Sequence, residues 1–223
     1  MLFRSARAEI VSECGADRFF EMPIRTMGLP TSGEVRLTGL GNLVRWKQWD
    51  LLLESIAMLP DDLRRRVRAT VWGPIPKDSD SMEFARSLEA MAAGPRMEGR
   101  VVFGGPTHAV EQVLREADLF VLPSTNEPCS VALIEAMATG LPALVSASGG
   151  NVDIVRHGKT GLLFQPGSAR DLALQLERVL RGEVCLGTAA EIRASVMGRC
   201  ARDVAARYAN IYARLAGNGT ATP

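Results

Sequence analysis

Two glutamates, Glu127 and Glu135, stand with seven residues between them across the junction of a polar loop and a helix. A carboxylate accepts several hydrogen bonds at once, so Glu135 could take both hydroxyls of a ribose and Glu127 a second polyhydroxyl group. Between them, the backbone N–H groups around Cys129, Ser130 and Val131 open the helix, where free amides and the macrodipole favour an anion. Phosphate donors flanked by two hydroxyl acceptors suit a sugar nucleotide. The other reading, in which both glutamates are solvated charges at a helix entry, is the commoner fate of a glutamate. Spacing by itself leaves the two open.

The elements that must position these groups show in the apolar pattern. Residues 118–122 form a short apolar run that reads as a buried parallel strand. A loop over 124–128 follows, then a helix over 130–139 stopped by Gly140 and Pro142, then a strand over 141–145. A loop at the carboxyl end of a parallel strand, feeding a helix N-terminus, is where open α/β sheets bind ligands. The same alternation predicts strands over 35–40, 67–73, 100–103 and 162–164, with helices over 46–59, 81–92 and 107–117 and another starting at Ser168. Thr107 and Ser168 are the expected caps, and Thr188 with Glu191 writes a capping box that opens a helical tail. The fold class is therefore α/β: a Rossmann-like, doubly wound parallel sheet of about six strands, with helices on both faces and a C-terminal helical tail. The expected division is a linker region over 1–33, a ligand-binding domain over 34–183 and the tail over 184–223, with a short helix over 4–14 inside the first.

Composition narrows the function classes. The 223 residues are 47% hydrophobic and 23% charged, as in ordinary globular chains, and a net charge of +1 offers no electrostatic footprint for nucleic acid. The run Arg64-Arg65-Arg66 with Arg68 reads as a solvated helix end. No apolar run approaches the ~20 residues of a membrane span, and the N-terminus lacks a signal-peptide core. Cys14, Cys129, Cys185 and Cys200 are scattered, which predicts reduced thiols and a cytoplasmic location. With His108 and His157 as the only histidines, no metal site is expected. No G-x-G-x-x-G follows the first strand, against a nicotinamide enzyme.

The stretch P-S-x-x-E-x7-E-A-M-A-x-G-L-P, running from Pro123 through Glu127 and Glu135 to Pro142, resembles the nucleotide-sugar motif of retaining GT-B glycosyltransferases of the group 1 kind. The resemblance covers roughly residues 35–182 and extends weakly to 215. It implies the C-terminal, donor-binding half of an enzyme that transfers a hexose from a UDP-, GDP- or ADP-sugar to an acceptor hydroxyl with retention, without a metal or other cofactor. It places the ribose on Glu135 and the hexose on Glu127. Similar chains carry G-R-L-V-x-x-K-G after the first strand, where Arg and Lys grip the diphosphate. This chain has Gly41-Asn42-Leu43-Val44-Arg45-Trp46-Lys47-Gln48, so Lys47 matches and Asn42 replaces a bidentate cation with a neutral donor. Arg45 is the candidate to swing in instead.

By the same resemblance, Lys47 and Glu127 are the catalytic candidates. Gly41, Asn42, Gly104, Gly105, Cys129, Ser130, Val131 and Glu135 are the donor-binding ones. Gly104 and Gly105 would form a turn against the nucleobase, where a Cβ would obstruct the approach. Residues 148–153 resemble the family's G-G-x-P-E loop, with Val152 for Pro and Asp153 for Glu. Most of the family's N-terminal, acceptor-binding domain has no counterpart here. The expected partners are therefore a sugar nucleotide, an unidentified acceptor, and either a separate acceptor-binding domain or a second copy. The second copy would meet apolar tail residues Ile192, Val196, Val204, Tyr208 and Ile211. The alternative reading is a non-catalytic sugar-nucleotide-binding subunit or fragment.

Overall fold

The computed structural model describes residues 14–26, 28–97 and 99–217; the helix expected over 4–14 lies outside them but for its last residue. Among the described residues six strands pair in parallel: β1 (Val35–Leu40), β2 (Val67–Trp72), β3 (Val101–Gly105), β4 (Leu119–Leu122), β5 (Ala143–Ser146) and β6 (Gly161–Phe164). Their order across the sheet is β3-β2-β1-β4-β5-β6. The chain winds outward from β1 in one direction, crosses back, and winds outward from β4 in the other. Every residue of β4 and β5 is buried, as expected of short apolar strands covered on both faces.

The helices are α1 (Asp17–Glu21), α2 (Trp49–Met58), α3 (Asp61–Arg64), α4 (Ser79–Ala92), α5 (Val110–Glu116), α6 (Val131–Ala138), α7 (Asn151–Ile154), α8 (Ala169–Leu180), α9 (Ala189–Ala194) and α10 (Ala201–Gly217). Helix α2 packs against α4 and α8, while α6 packs against α1 and α9. The apolar stripes read from the sequence point inward: Leu52 and Ile56 on α2, Phe84 and Leu88 on α4, and Leu172 and Leu176 on α8 are all buried. Side-chain caps start four of these helices, α4, α6, α8 and α9. Ser168 Oγ accepts the Asp171 amide, and Thr188 with Glu191 forms the reciprocal box. Asp78 caps α4 through the Ser81 amide.

Three local expectations are corrected. Thr107 does not cap a helix: its hydroxyl accepts the amide of Ala109, 3.0 Å away, and α5 starts only at Val110. Helix α2 starts at Trp49, because a 3-10 turn over Arg45–Lys47 ends in Gln48 with φ of 52°. Gly104 and Gly105 are the last residues of β3 and do not form a turn beyond it. The two ends of the described chain are also joined more closely than a linker and a tail would be. The Gly15 amide donates to the carbonyl of Arg199 and the Ala201 amide to the carbonyl of Gly15. Phe19, Phe20, Ile192 and Val196 belong to the same buried cluster as the sheet. Of the apolar tail residues, Val204 is buried as well and Ile211 is half-buried, while Met197, Tyr208, Tyr212 and Leu215 are exposed. No described helix is long and apolar enough to cross a membrane.

One packing contact fixes the loop that leaves β1. A Cβ at Gly39 would lie 2.7 Å from Cζ3 of Trp49, so the strand needs glycine where the indole lies across it. Trp49 is fully buried, and its Nε1 donates to the carbonyl of Asn42 at 3.0 Å, tying α2 to the loop. Gly39→Ala should therefore destabilise the fold by about 1–3 kcal/mol through overpacking. Adding Trp49→Phe should recover part of that loss in urea unfolding. Strictly additive costs would show that the two residues do not meet as described.

Candidate functional site

Strand order reverses between β1 and β4, and such a reversal is where open α/β sheets bind ligands at the carboxyl ends of their strands. The loop after β1 carries Lys47 at the end of its 3-10 turn, and the loop after β4 carries Glu127. Their side chains meet: Lys47 Nζ lies 2.5 Å from Glu127 Oε2. Both residues are buried, at 9% and 6% exposure, although each belongs to a surface loop. The ammonium also sits over the indole of Trp46, 4.3 Å from the ring centroid. Gly41 makes room for the lysine stem, since a Cβ there would stand 3.1 Å from Lys47 Cε.

Neighbouring backbone holds the Glu127 loop from three directions. The Thr125 amide donates to the carbonyl of Trp46 at 2.9 Å, the Asn126 amide to Ser148 Oγ at 2.8 Å, and the Gly150 amide to the carbonyl of Glu127 at 2.9 Å. Asn126 takes a left-handed φ of 54° to make this path. A Cβ at Gly149 would lie 2.0 Å from the Glu127 carbonyl oxygen, and one at Gly150 would lie 2.3 Å from that of Pro128. Beneath the loop, Ser146 Oγ donates to the Ser124 carbonyl, and Asn151 Nδ2 donates to the Ser146 carbonyl at 3.1 Å. Trp46, Ser146, Ser148 and Asn151 had no assigned part in the sequence reading. The paired glycines after β5 were the available signal for a backbone clamp.

The remaining candidates divide. Ser130 caps α6, its hydroxyl accepting the Leu133 amide at 3.2 Å, so that only the amides of Val131 and Ala132 in the first turn lack intrahelical partners. Cys129 is partly buried and packs on the core. Asn42 is exposed on its side-chain side, and its carbonyl serves Trp49 and the Val44 amide. Arg45 does not substitute for the missing guanidinium: it pairs with Asp80 at 2.7 Å and lies over the Phe84 ring at 5.4 Å. Gly104 answers to Trp72, whose indole would lie 2.5 Å from a Cβ, and Gly105 has a left-handed φ of 69°. Both lie on the edge strand, two places from β1.

Glu135 is turned toward another neighbour. Its Oε1 accepts the Ala16 amide at 3.3 Å, and a Cβ at Gly15 would lie 3.0 Å from its Cγ. Burial pushes the Glu135 carboxyl above its ordinary pKa, opposed by the Ala16 N–H and by Arg18.

A buried cation and carboxylate at a sheet switch point, beside a capped helix N-terminus, can bind an anion and a polyhydroxyl group together. Comparison with known proteins places this arrangement in a lineage. The sequence model described as glycosyl transferases group 1 matches residues 30–196. The D-inositol 3-phosphate glycosyltransferase of Corynebacterium aurimucosum is 31% identical over 203 residues, covering 89% of this chain and 47% of that protein. The chain therefore spans a little under half the length of that relative. Among solved structures, sucrose-phosphate synthase from Thermosynechococcus elongatus superposes with a TM-score of 0.78 at 24% identity, over 96% of this chain and 54% of that one. Anabaena HepE in complex with UDP-glucose gives 0.71 at 24% identity, over 82% and 49%. The chain belongs to the group 1 glycosyltransferase family.

Proposed function

We propose that this chain is the donor-binding half of a retaining hexosyltransferase and holds a nucleotide-diphosphate sugar in the crevice between the β1 and β4 loops. The observation that carries this reading is the buried Lys47–Glu127 pair. Removing two charges from water costs about as much as their attraction returns, so such a pair adds little to stability. Its use is chemical. The ammonium suits a diphosphate and the carboxylate suits sugar hydroxyls, so donor binding would exchange the pair: Lys47 turns to phosphate while Glu127 accepts from the hexose. The α6 amides add to the phosphate site, and Glu135 takes the ribose with residues 15–16 orienting it. Transfer breaks the anomeric C–O bond, whose electrons leave with the diphosphate, while the acceptor oxygen bonds on the same face and its proton passes to the departing diphosphate. Chemistry of this kind needs positioning and charge stabilisation more than a covalent partner. Lys47 and the amides supply that without a metal. HepE carries UDP-glucose on the same fold, which favours UDP as the first nucleotide to try.

Calorimetry against UDP, GDP and ADP and their sugars tests the site directly. Lys47→Ala should weaken nucleotide binding by about 1–3 kcal/mol, the range for a lost charge-assisted contact. EDTA should leave wild-type affinity unchanged. Equal affinity in wild type and variant would move the site elsewhere.

Asn42→Arg should tighten diphosphate binding and steepen its salt dependence, because a bidentate cation returns beside Lys47. Unchanged or weaker binding would remove Asn42 from the site.

Glu135 yields a paired outcome. Its raised folded pKa means that the ionised carboxylate costs stability above the unfolded value, and the cost fades as pH falls. Glu135→Gln should therefore raise the Tm at neutral pH, with the gain shrinking toward about pH 4, while nucleotide affinity falls. A stability gain with full affinity would exclude Glu135 from ribose binding.

A further inference from the structure

We propose that the indole of Trp46 is a stacking surface for a pyranose ring and so helps to decide which hexose the site accepts, an inference that rests on the donor-site reading above. Trp46 is 47% exposed although Lys47, the next residue, is buried. Single exposed tryptophans are ordinary on protein surfaces. This one is fixed between the two site loops, because its carbonyl accepts the Thr125 amide at 2.9 Å. Its ring, the Lys47 ammonium and the Glu127 carboxylate form three successive layers, with 4.3 Å from centroid to Nζ and 2.5 Å from Nζ to Oε2.

The middle layer says what the ring face prefers. An indole face is electron-rich and attracts positive charge, whether a full ammonium or the weakly positive C–H bonds of a sugar face. A pyranose has that C–H face together with an edge of hydroxyls. If a diphosphate draws the Lys47 ammonium away, the indole and the Glu127 carboxylate are left facing the same space. A pyranose fits there with its C–H face on Trp46 and its hydroxyl edge on Glu127. The ring can come from the donor's hexose or from an acceptor sugar, and the chemistry of contact is the same.

The test uses isotope-labelled chain with UDP, UDP-glucose and methyl α-D-glucopyranoside. Intermolecular NOEs should run from the Trp46 ring to pyranose C–H protons, with the ring assigned by its loss in Trp46→Phe. NOEs to the hexose of UDP-glucose identify the donor as the source. NOEs to the glucoside, alone or added to the UDP-loaded chain, identify an acceptor. In calorimetry Trp46→Ala should weaken the sugar-bearing ligand roughly five- to tenfold and leave UDP within about twofold, whereas Trp46→Phe should keep most of the affinity. Equal weakening toward UDP and UDP-glucose would mean that the indole only holds Lys47, and the proposal would fall. UDP binding with no NOE to either sugar would also overturn it while leaving the donor site standing. NOEs to the glucoside without any nucleotide binding would keep the stacking surface and sink the donor reading. No binding of any of the three overturns both.

Discussion

An ammonium and a carboxylate 2.5 Å apart, each on a residue less than a tenth exposed, must be held in place by something other than their mutual attraction. Desolvation consumes most of what Coulomb energy returns, so a buried pair survives only where the surrounding structure positions both groups. Here the positioning is done by backbone. Lys47 ends a 3-10 turn, the next residue, Gln48, bends into α2, and Trp49 at the start of that helix is pinned to Asn42 and to the face of Gly39. Glu127 sits on a loop bonded to Trp46, Ser148 and Gly150. The indole of Trp46 then covers the ammonium where water would otherwise lie. Local rigidity and chemical readiness are the same property in this site.

That rigidity depends on backbone lying directly on backbone. Gly73 lies so close to Gly41 that a Cβ would fall 2.1 Å from the Gly41 carbonyl oxygen, and Gly149 and Gly150 press in the same way on residues 127 and 128. Loops usually carry function because they tolerate change, at some cost in precision. Four loops packed through glycine at the ends of β1, β2, β4 and β5 keep the precision of the sheet. Beneath them Ser124, Ser146 and Asn151 are wholly buried: Ser146 Oγ donates to the Ser124 carbonyl and Asn151 Nδ2 to the Ser146 carbonyl, while Ser124 Oγ and Asn151 Oδ1 have no partner among the described residues.

Helix α6 links the site to both ends of the described chain. Its N-terminus is the Ser130 cap, its flank packs against α1 through Glu135 and Ala16, and Gly140 at its end admits Ala189 of α9, which a Cβ would meet at 2.7 Å. A half-buried carboxylate with a raised pKa, satisfied by a single amide, is a local weakness in an otherwise apolar contact. Such weaknesses gather where function needs them. Displacement of residues 15–16 would change the orientation of Glu135 before it changed anything in the sheet.

The sequence by itself determined the alternation of six strands with the longer helices, the parallel sheet, the stop at Gly140 and the caps at Ser168 and Thr188, because periodicity, capping and helix termination act within a few residues. It also marked Glu127, Glu135 and Lys47 as residues worth attention. Only the tertiary structure decided what each of them touches. Lys47 and Glu127 are 80 positions apart and meet because the strand order reverses between β1 and β4. Arg45 reaches Asp80 across 35 positions, and Glu135 reaches Ala16 across 119. Trp46 looked like an ordinary helix-entry residue, and its place over the ammonium follows from two loops being bonded together. Contacts of that range are set by sheet order and backbone approach, and no local pattern in the chain encodes them.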